Sequence, residues 1–252
     1  MNEFFWNGKL ISYTDEGNGF PVVLLHGYLE TKEVWQPFAR QLSTHCRVII
    51  PDIPGHGNST LLAETHSMEL MAQAIQALLQ WIKVEKCVLI GHSMGGYVML
   101  AFAQLFPHNL AGMVLFHSSV YADSDEKKKN RLQEIELIEK GLLPQIIDNH
   151  IPKTFASDNI ARFQPFIDKL RTKALAHNPK GVCALIKGMM ERPDRQDLIR
   201  NFKKTMLFIF GKNDPFISNE VSQKMVSLNP SIQAKWLLHS GHMGLIEEPD
   251  EA

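Results

Sequence analysis

Gly91-His92-Ser93-Met94-Gly95-Gly96 follows directly on the apolar run Cys87-Val88-Leu89-Ile90. Together they read as a strand that turns sharply into a helix with a serine at the apex. A turn that tight leaves no room for side chains at positions 91 and 95, where neighbouring strand and helix would collide with them. The same geometry pushes the Ser93 hydroxyl into open space and sets a helix N-terminus behind it, where backbone donors can stabilise an oxyanion. Read in isolation, Ser93 could equally do no more than N-cap the helix that runs from Met94 to about Phe106.

The strands and helices around this turn extend the pattern. Pro21–Leu25, Arg47–Ile50, Gly112–Phe116 and Met206–Phe210 repeat the apolar character of Cys87–Ile90, as strands buried on both faces do. Phe4–Trp6 and Lys9–Thr14 flank Asn7-Gly8 as a hairpin, and Ala234–Leu238 reads as the last strand. Helical periodicity covers Val34–Leu42, Met68–Ile82 (with Ser67 as its cap) and Met94–Phe106. Alternation of this kind predicts an α/β fold: a mostly parallel, doubly wound sheet of about eight strands flanked by helices. It breaks between residues 121 and 204, where prolines 144, 152, 165, 179 and 193 punctuate helical sequence without a convincing strand. Residues 1–120 and 205–252 are therefore expected to form the core domain, and 121–204 an inserted helical cap. That insert carries 17 Lys/Arg against 12 Asp/Glu, read here as solvated helix faces, with an anionic substrate as the other reading.

Composition narrows the function classes. The 252 residues carry a net charge of −1 and 44% hydrophobic residues, enough for a substantial core and with no basic arm for nucleic acid. Cys46, Cys87 and Cys183 are too widely spaced for a metal cluster or a disulfide framework. The N-terminal residues lack the basic and apolar regions of a signal peptide, and no stretch is long and apolar enough to span a membrane. A cytoplasmic location is expected.

A serine hydroxyl becomes a strong nucleophile only when a base takes its proton and a third group holds that base in one tautomer. In chain order the candidates are Ser93, Asp214 in Gly211-Lys212-Asn213-Asp214-Pro215, and His242 in Ser240-Gly241-His242. Each follows an apolar run, and in open parallel sheets the carboxyl ends of strands border the ligand crevice. Asp214 before a proline could instead be a turn former, and His242 a loop residue. His26-Gly27-Tyr28-Leu29 follows another strand, so the N–H of Tyr28 with that of Met94 would make the two donors of an oxyanion hole. Asp52 reads as a stabiliser of the Pro54–Gly57 turn, His26 as a scaffold for the oxyanion loop, and His92 as a packed residue. His117 and His239 lie near strand ends without a metal-ligand spacing.

These motifs, with Pro51-Asp52-Ile53-Pro54-Gly55-His56-Gly57-Asn58-Ser59, resemble the α/β-hydrolase family in its lidded serine-hydrolase branch, in family order over nearly the whole chain. The resemblance implies Ser93 as nucleophile, His242 as general acid/base and Asp214 as its orienting partner, with neither cofactor nor metal. It also implies a final helix beyond Glu247-Glu248-Pro249, where this sequence stops. Without that helix one sheet face would be less covered. A serine at the elbow argues against epoxide hydrolases and haloalkane dehalogenases, which use a carboxylate, and Tyr121 is the cap's only tyrosine. Tyr97 after the elbow glycines argues against a menaquinone-pathway lyase. The expectation is hydrolysis of carboxylic esters, or related lactones and thioesters, of small apolar substrates. The alternatives are a carbon–carbon hydrolase of the meta-cleavage type and a slow-turnover ligand sensor. Met94, Phe155, Phe163, Phe166, Met189 and Met190 are candidates for an apolar acyl pocket, or else ordinary cap core.

Overall fold

The computed structural model describes residues 2–252. β1 (Asn2–Trp6) and β2 (Lys9–Glu16) form an antiparallel hairpin about Asn7 and Gly8. Both turn residues have positive φ, as the turn that matches strand twist requires. β2 pairs antiparallel with β4 (Arg47–Pro51), and from there the sheet is parallel. β3 (Pro21–Leu25), β5 (Cys87–His92), β6 (Leu110–Phe116), β7 (Thr205–Gly211) and β8 (Ile232–Leu237) complete the order β1-β2-β4-β3-β5-β6-β7-β8. Val23, Leu24, Leu25, Ile49, Leu89, Leu115 and Phe208 are sealed from solvent, so the central strands need no polar face.

α1 (Gln36–Leu42) starts later than the periodicity suggests. Its first turn is a 3₁₀ segment, Lys32–Trp35, and Pro37 sits in the opening turn of α1, where a missing N–H costs nothing. α2 (Met68–Trp81) is capped by Ser67, whose Oγ accepts the Leu70 N–H at 3.1 Å. α3 (Met94–Leu105) is apolar almost all round because it lies between α2 and strands β3, β5 and β6.

The segment between β6 and β7 is helical: α4 (Asp125–Glu139), α5 (Leu143–His150), α6 (Gln164–Leu175), α7 (Pro179–Glu191) and α8 (Gln196–Asn201), with no strand among its described residues. Pro144, Pro165 and Pro179 do not interrupt helices; each stands in the first turn of one. α9 (Asn219–Val226) packs on β8, and α10 (Gly244–Glu247) follows the His242 loop. Cys87 and Cys183 are buried and Cys46 half-buried, all with free thiols. No described helix is long and apolar enough to cross a membrane.

One buried ion pair ties the loops above the sheet together. Lys32 Nζ pairs with Asp52 while also donating to Ser12 Oγ at 3.1 Å. Asp52 further accepts the N–H groups of Lys32 (2.8 Å) and Asn58 (3.0 Å), so it does hold the Pro54–Gly57 turn. The two side chains are 5% and 1% exposed, and removing one partner strands a charge that water cannot reach. Lys32→Met is expected to cost about 3–5 kcal/mol, or roughly 6–20 °C in Tm for a chain of this size. Thermal unfolding at neutral pH checks it; a shift under about 2 °C, the scale of a surface substitution, would show the pair to be dispensable.

Candidate active site

Ser93 sits at the joint of β5 and α3 with φ 50° and ψ −117°, a left-handed backbone that a non-glycine residue adopts only when its surroundings force it. The forcing is visible. Ser93 N–H donates to Phe116 O at 3.0 Å, and its carbonyl accepts from Gly96 N at 2.9 Å and Ser118 Oγ at 2.6 Å. A Cβ on Gly95 would stand 2.3 Å from Leu25 O, and one on Gly91 2.5 Å from Gly95 O. The sequence expectation of two obligatory small residues is therefore met by backbone, which cannot yield. Met94 is the first residue of α3, so its N–H belongs to the unpaired set at a helix start.

Asp214 and His242 meet at the carboxyl ends of β7 and β8. His242 Nδ1–H donates to Asp214 Oδ2 at 2.7 Å, which leaves Nε2 with a lone pair for a proton. Asp214 Oδ1 accepts the N–H groups of Phe216 (2.8 Å) and Ile217 (3.1 Å), fixing the carboxylate plane. Burial works against its ionisation, but the His242 charge and hydrogen bonds from His117 and His242 prevail and hold it far below the usual carboxylate range. Ser93 and His242 line one cavity. No hydrogen bond joins Ser93 Oγ to His242 among the described residues; such contacts commonly tighten only on substrate. The ligand-capable atoms of His117, Asp214 and His242 lie within 4.8 Å of one another, a spacing that two imidazoles on one carboxylate produce without an ion.

The loop after β3 holds Tyr28, the second donor expected from the sequence. Gly27 N–H is taken by Glu30 Oε2 (2.7 Å) and Leu29 N–H by His56 Nε2 (3.1 Å), with Tyr28 N–H between them. Among the described residues no acceptor engages that Tyr28 N–H. His26 Nδ1 bonds Gly27 O at 2.9 Å while its Nε2 accepts from Ile53 N, which places it as scaffold. Leu29 has φ 60°, so this loop too is held in a strained form.

Glu30 and Glu247, which the sequence did not single out, complete the frame together with His92, read there as a packed residue. Glu30 and His92 pair at 3.1 Å, and His92 Nε2–H donates to His242 O at 2.8 Å. Burial opposes a charge on either, yet mutual attraction wins: Glu30 is pulled down and His92 up. One ion pair thus links the Tyr28 loop to the His242 loop. Glu247 accepts the N–H groups of Ala156 and Gly241 at 2.9 Å and of Met243 at 3.2 Å, pinning the His242 loop to the helical segment. His117 lies against Asp214 at 3.2 Å. Among the described residues His239 bonds through its main chain alone, its carbonyl accepting from Asn159 and its N–H donating to Glu248.

The cavity is about 340 Å³, and its lining is mixed: Met189, Pro215, Phe216 and Ile217 bring apolar surface, and α4 brings polar side chains. Of the six candidates only Met189 borders it. Phe155 stacks on Phe163 in the buried core, Met94 is fully buried, and Phe166 is exposed elsewhere. Sharing the lining with Ser93 are Lys127, Asn130, Arg131 and Glu134, one stripe of α4 at i, i+3, i+4 and i+7. Arg131 and Arg192 both pair with Asp123, and Tyr28 Oη donates to Glu134 at 2.7 Å. Burial pushes the Glu134 carboxyl up.

A family model described as "alpha/beta hydrolase fold" matches residues 21–136. A thermophilic esterase from Thermogutta terrifontis, solved with malate bound, is 32% identical, with a TM-score of 0.92 over 96% of this chain and 89% of that one. The chain belongs to the α/β-hydrolase family. Pimeloyl-[acyl-carrier protein] methyl ester esterase of Pseudoalteromonas atlantica is 26% identical over 93% of this chain and 92% of its own length. Other curated relatives are longer. This α/β hydrolase spans 15% of the protein PHYLLO, chloroplastic, of Arabidopsis thaliana, to which it is 25% identical over 93% of the chain, and 65% and 58% of two more.

Proposed function

We propose that this α/β hydrolase cleaves carboxylic esters through an acyl-enzyme on Ser93. Its esterase relatives support ester hydrolysis, and the observation that carries the assignment of roles is the 2.7 Å bond of His242 to a buried, doubly anchored Asp214 across the cavity from a strained Ser93. Ser93 Oγ attacks the ester carbonyl as its proton passes to His242 Nε2, and the new imidazolium is stabilised by Asp214. The carbonyl oxygen, now an alkoxide, rests on the N–H groups of Tyr28 and Met94. The C–O bond then breaks, His242 returns its proton to the leaving alcohol, and water repeats the cycle on the acyl-enzyme.

The helical segment over the site acts as a cap that selects substrate, and its α4 stripe favours small esters with a polar or anionic group over long alkyl chains. A polar wall left unpaired by an alkyl chain costs binding energy. Fluorophosphonate labelling, located by peptide mass spectrometry, is expected at Ser93 and to be largely lost in His242→Ala. Folded protein that does not label would sink the acyl-enzyme reading. On p-nitrophenyl esters kcat/KM is expected to fall from acetate to octanoate, and a rise would overturn the polar-pocket part alone.

A further inference from the structure

The arrangement read from the sequence has one histidine on Asp214; the structure has two. His117 follows β6 directly, is sealed from solvent, and sets Nδ1 3.2 Å from Asp214 Oδ2, the same oxygen that accepts from His242 at 2.7 Å. The chain is shaped around this ring. His117 has φ 45°, the left-handed region that a non-glycine residue enters only under constraint, most often at functional sites. A Cβ on Gly211 would lie 2.9 Å from its Cε1, and one on Gly244 2.3 Å from its Nε2. Any larger residue at either position would push the imidazole off the carboxylate.

The proton on that ring can be placed. Nδ1 is within reach of two groups: Asp214 Oδ2, which needs a donor, and Gly211 N–H at 3.1 Å, which needs an acceptor. One nitrogen cannot serve both. A hydrogen bond to a carboxylate is about twice as strong as one between neutral groups. The other nitrogen, Nε2, is buried with no partner among the described residues. A buried N–H with nothing to bond is costly, so the proton belongs on Nδ1 and the lone pair on Nε2. Burial keeps the ring neutral, pushed down to about 4 against the pull of Asp214.

From this geometry we infer that His117 is a positioning residue: its Nδ1–H donates to Asp214 Oδ2 and shares with His242 the oxygen that orients the general base. The inference rests on the roles assigned above to Ser93, His242 and Asp214. Sharing has a consequence. Held by His117 as well as by the Phe216 and Ile217 N–H groups, the carboxylate is fixed on both oxygens, so His242 is kept in one tautomer and one orientation as the proton passes. The titratable groups facing His117 are Asp214 beyond β7, His242 before α10 (rings 5.7 Å apart) and His92 at the end of β5 (6.1 Å). His92 spends its ring on Glu30 and His242 O, leaving Asp214 to His117 and His242.

The test compares His117→Leu, which fills space without a donor, with His117→Asn, whose amide nitrogen can occupy the Nδ1 position and whose backbone tolerates positive φ. With p-nitrophenyl acetate, the Leu variant is expected to lose about tenfold in kcat/KM. The Asn variant, which restores a donor to Asp214, is expected to recover most of that loss. A folded Asn variant no more active than the Leu variant would reduce His117 to a packing role and overturn the inference. Ring-nitrogen NMR of ¹⁵N-histidine-labelled wild type is expected to find His117 as the Nδ1–H tautomer. The Nε2–H tautomer would refute the proposal even if neither variant folds. Wild type that fails to label with fluorophosphonate would defeat the assigned roles while leaving the tautomer result to stand by itself.

Discussion

Ser93→Ala is expected to lower ester turnover by about 10⁴-fold or more, while the folded state keeps its Tm within about 2 °C. The two halves of this result have separate causes. In the proposed roles only Ser93 Oγ forms the acyl bond, and the neighbouring Ser118 hydroxyl is committed to the Ser93 carbonyl. Stability, in contrast, does not use Oγ: the hydrogen bonds that fix residue 93 run through its N–H and its carbonyl. Alanine inherits the same positive φ and hence the same strain. Glycine does not, so Ser93→Gly is expected to be as inactive as Ser93→Ala but more stable, recovering part of the roughly 1–3 kcal/mol stored there. Because nucleophile and base act as one unit, adding His242→Ala to Ser93→Ala should cost almost nothing further. Steady-state kinetics beside thermal melts check both. An Ala variant that retains a tenth of wild-type turnover would remove Ser93 from the mechanism.

The elbow was legible in sequence because its sterics are local. Gly91 and Gly95 are needed two residues either side of Ser93, and the obstructing atoms are main chain. Asp214 and His242 were legible for another reason: each lies just past an apolar strand, and parallel topology brings those ends together. What stayed hidden depends on partners far along the chain. Glu30 meets His92 across 62 residues, Ala156 meets Glu247 across 91, His117 meets Asp214 across 97, and Tyr28 meets Glu134 across 106. No spacing rule reaches that far. The pocket lining was not legible for a related reason. Helical periodicity shows that α4 has faces but not which one lines the cavity with Ser93, and the face that does is its polar stripe.

Acid is expected to unfold this protein between about pH 6 and pH 4, and histidines rather than carboxylates are the cause. Burial pushes His66, His117, His150 and His177 down to about 4, with the His242 charge adding to the effect at His150 and the His26 charge at His177. His26 and His56 are lowered in the same direction. In an unfolded chain each would titrate near 6.5. A group whose folded pKa is depressed stabilises fully above its unfolded value, and that contribution drains away as pH falls toward the folded one. Between roughly 6.5 and 4 the unfolded state therefore binds more protons, each worth about 1.4 kcal/mol per pH unit. Four such groups give a slope of about 5 kcal/mol per pH unit at its steepest, against a total stability of about 5–15 kcal/mol. Asp214 fails later, because its carboxylate is held far below the usual range and its contribution persists until well under pH 4. His92 has the opposite sign: raised by Glu30, its contribution is present in acid and lost as pH rises. Structurally the weak point is the joint between core and helical segment, where His56 stacks on His177 at 4.2 Å with buried Nδ1 and Nε2 atoms that bond nothing among the described residues. Protonating both rings would set two like charges side by side, with Asp52, already committed to Lys32, as the carboxylate acting on His177. Urea titrations at pH 7.5, 6.5, 5.5 and 4.5 measure the slope directly. His177→Phe keeps the stack but removes one titrating group, so it should flatten the curve by about one proton's worth. A wild-type midpoint unchanged from pH 7.5 to 5 would mean that these imidazoles already find water or a charge partner in the folded state.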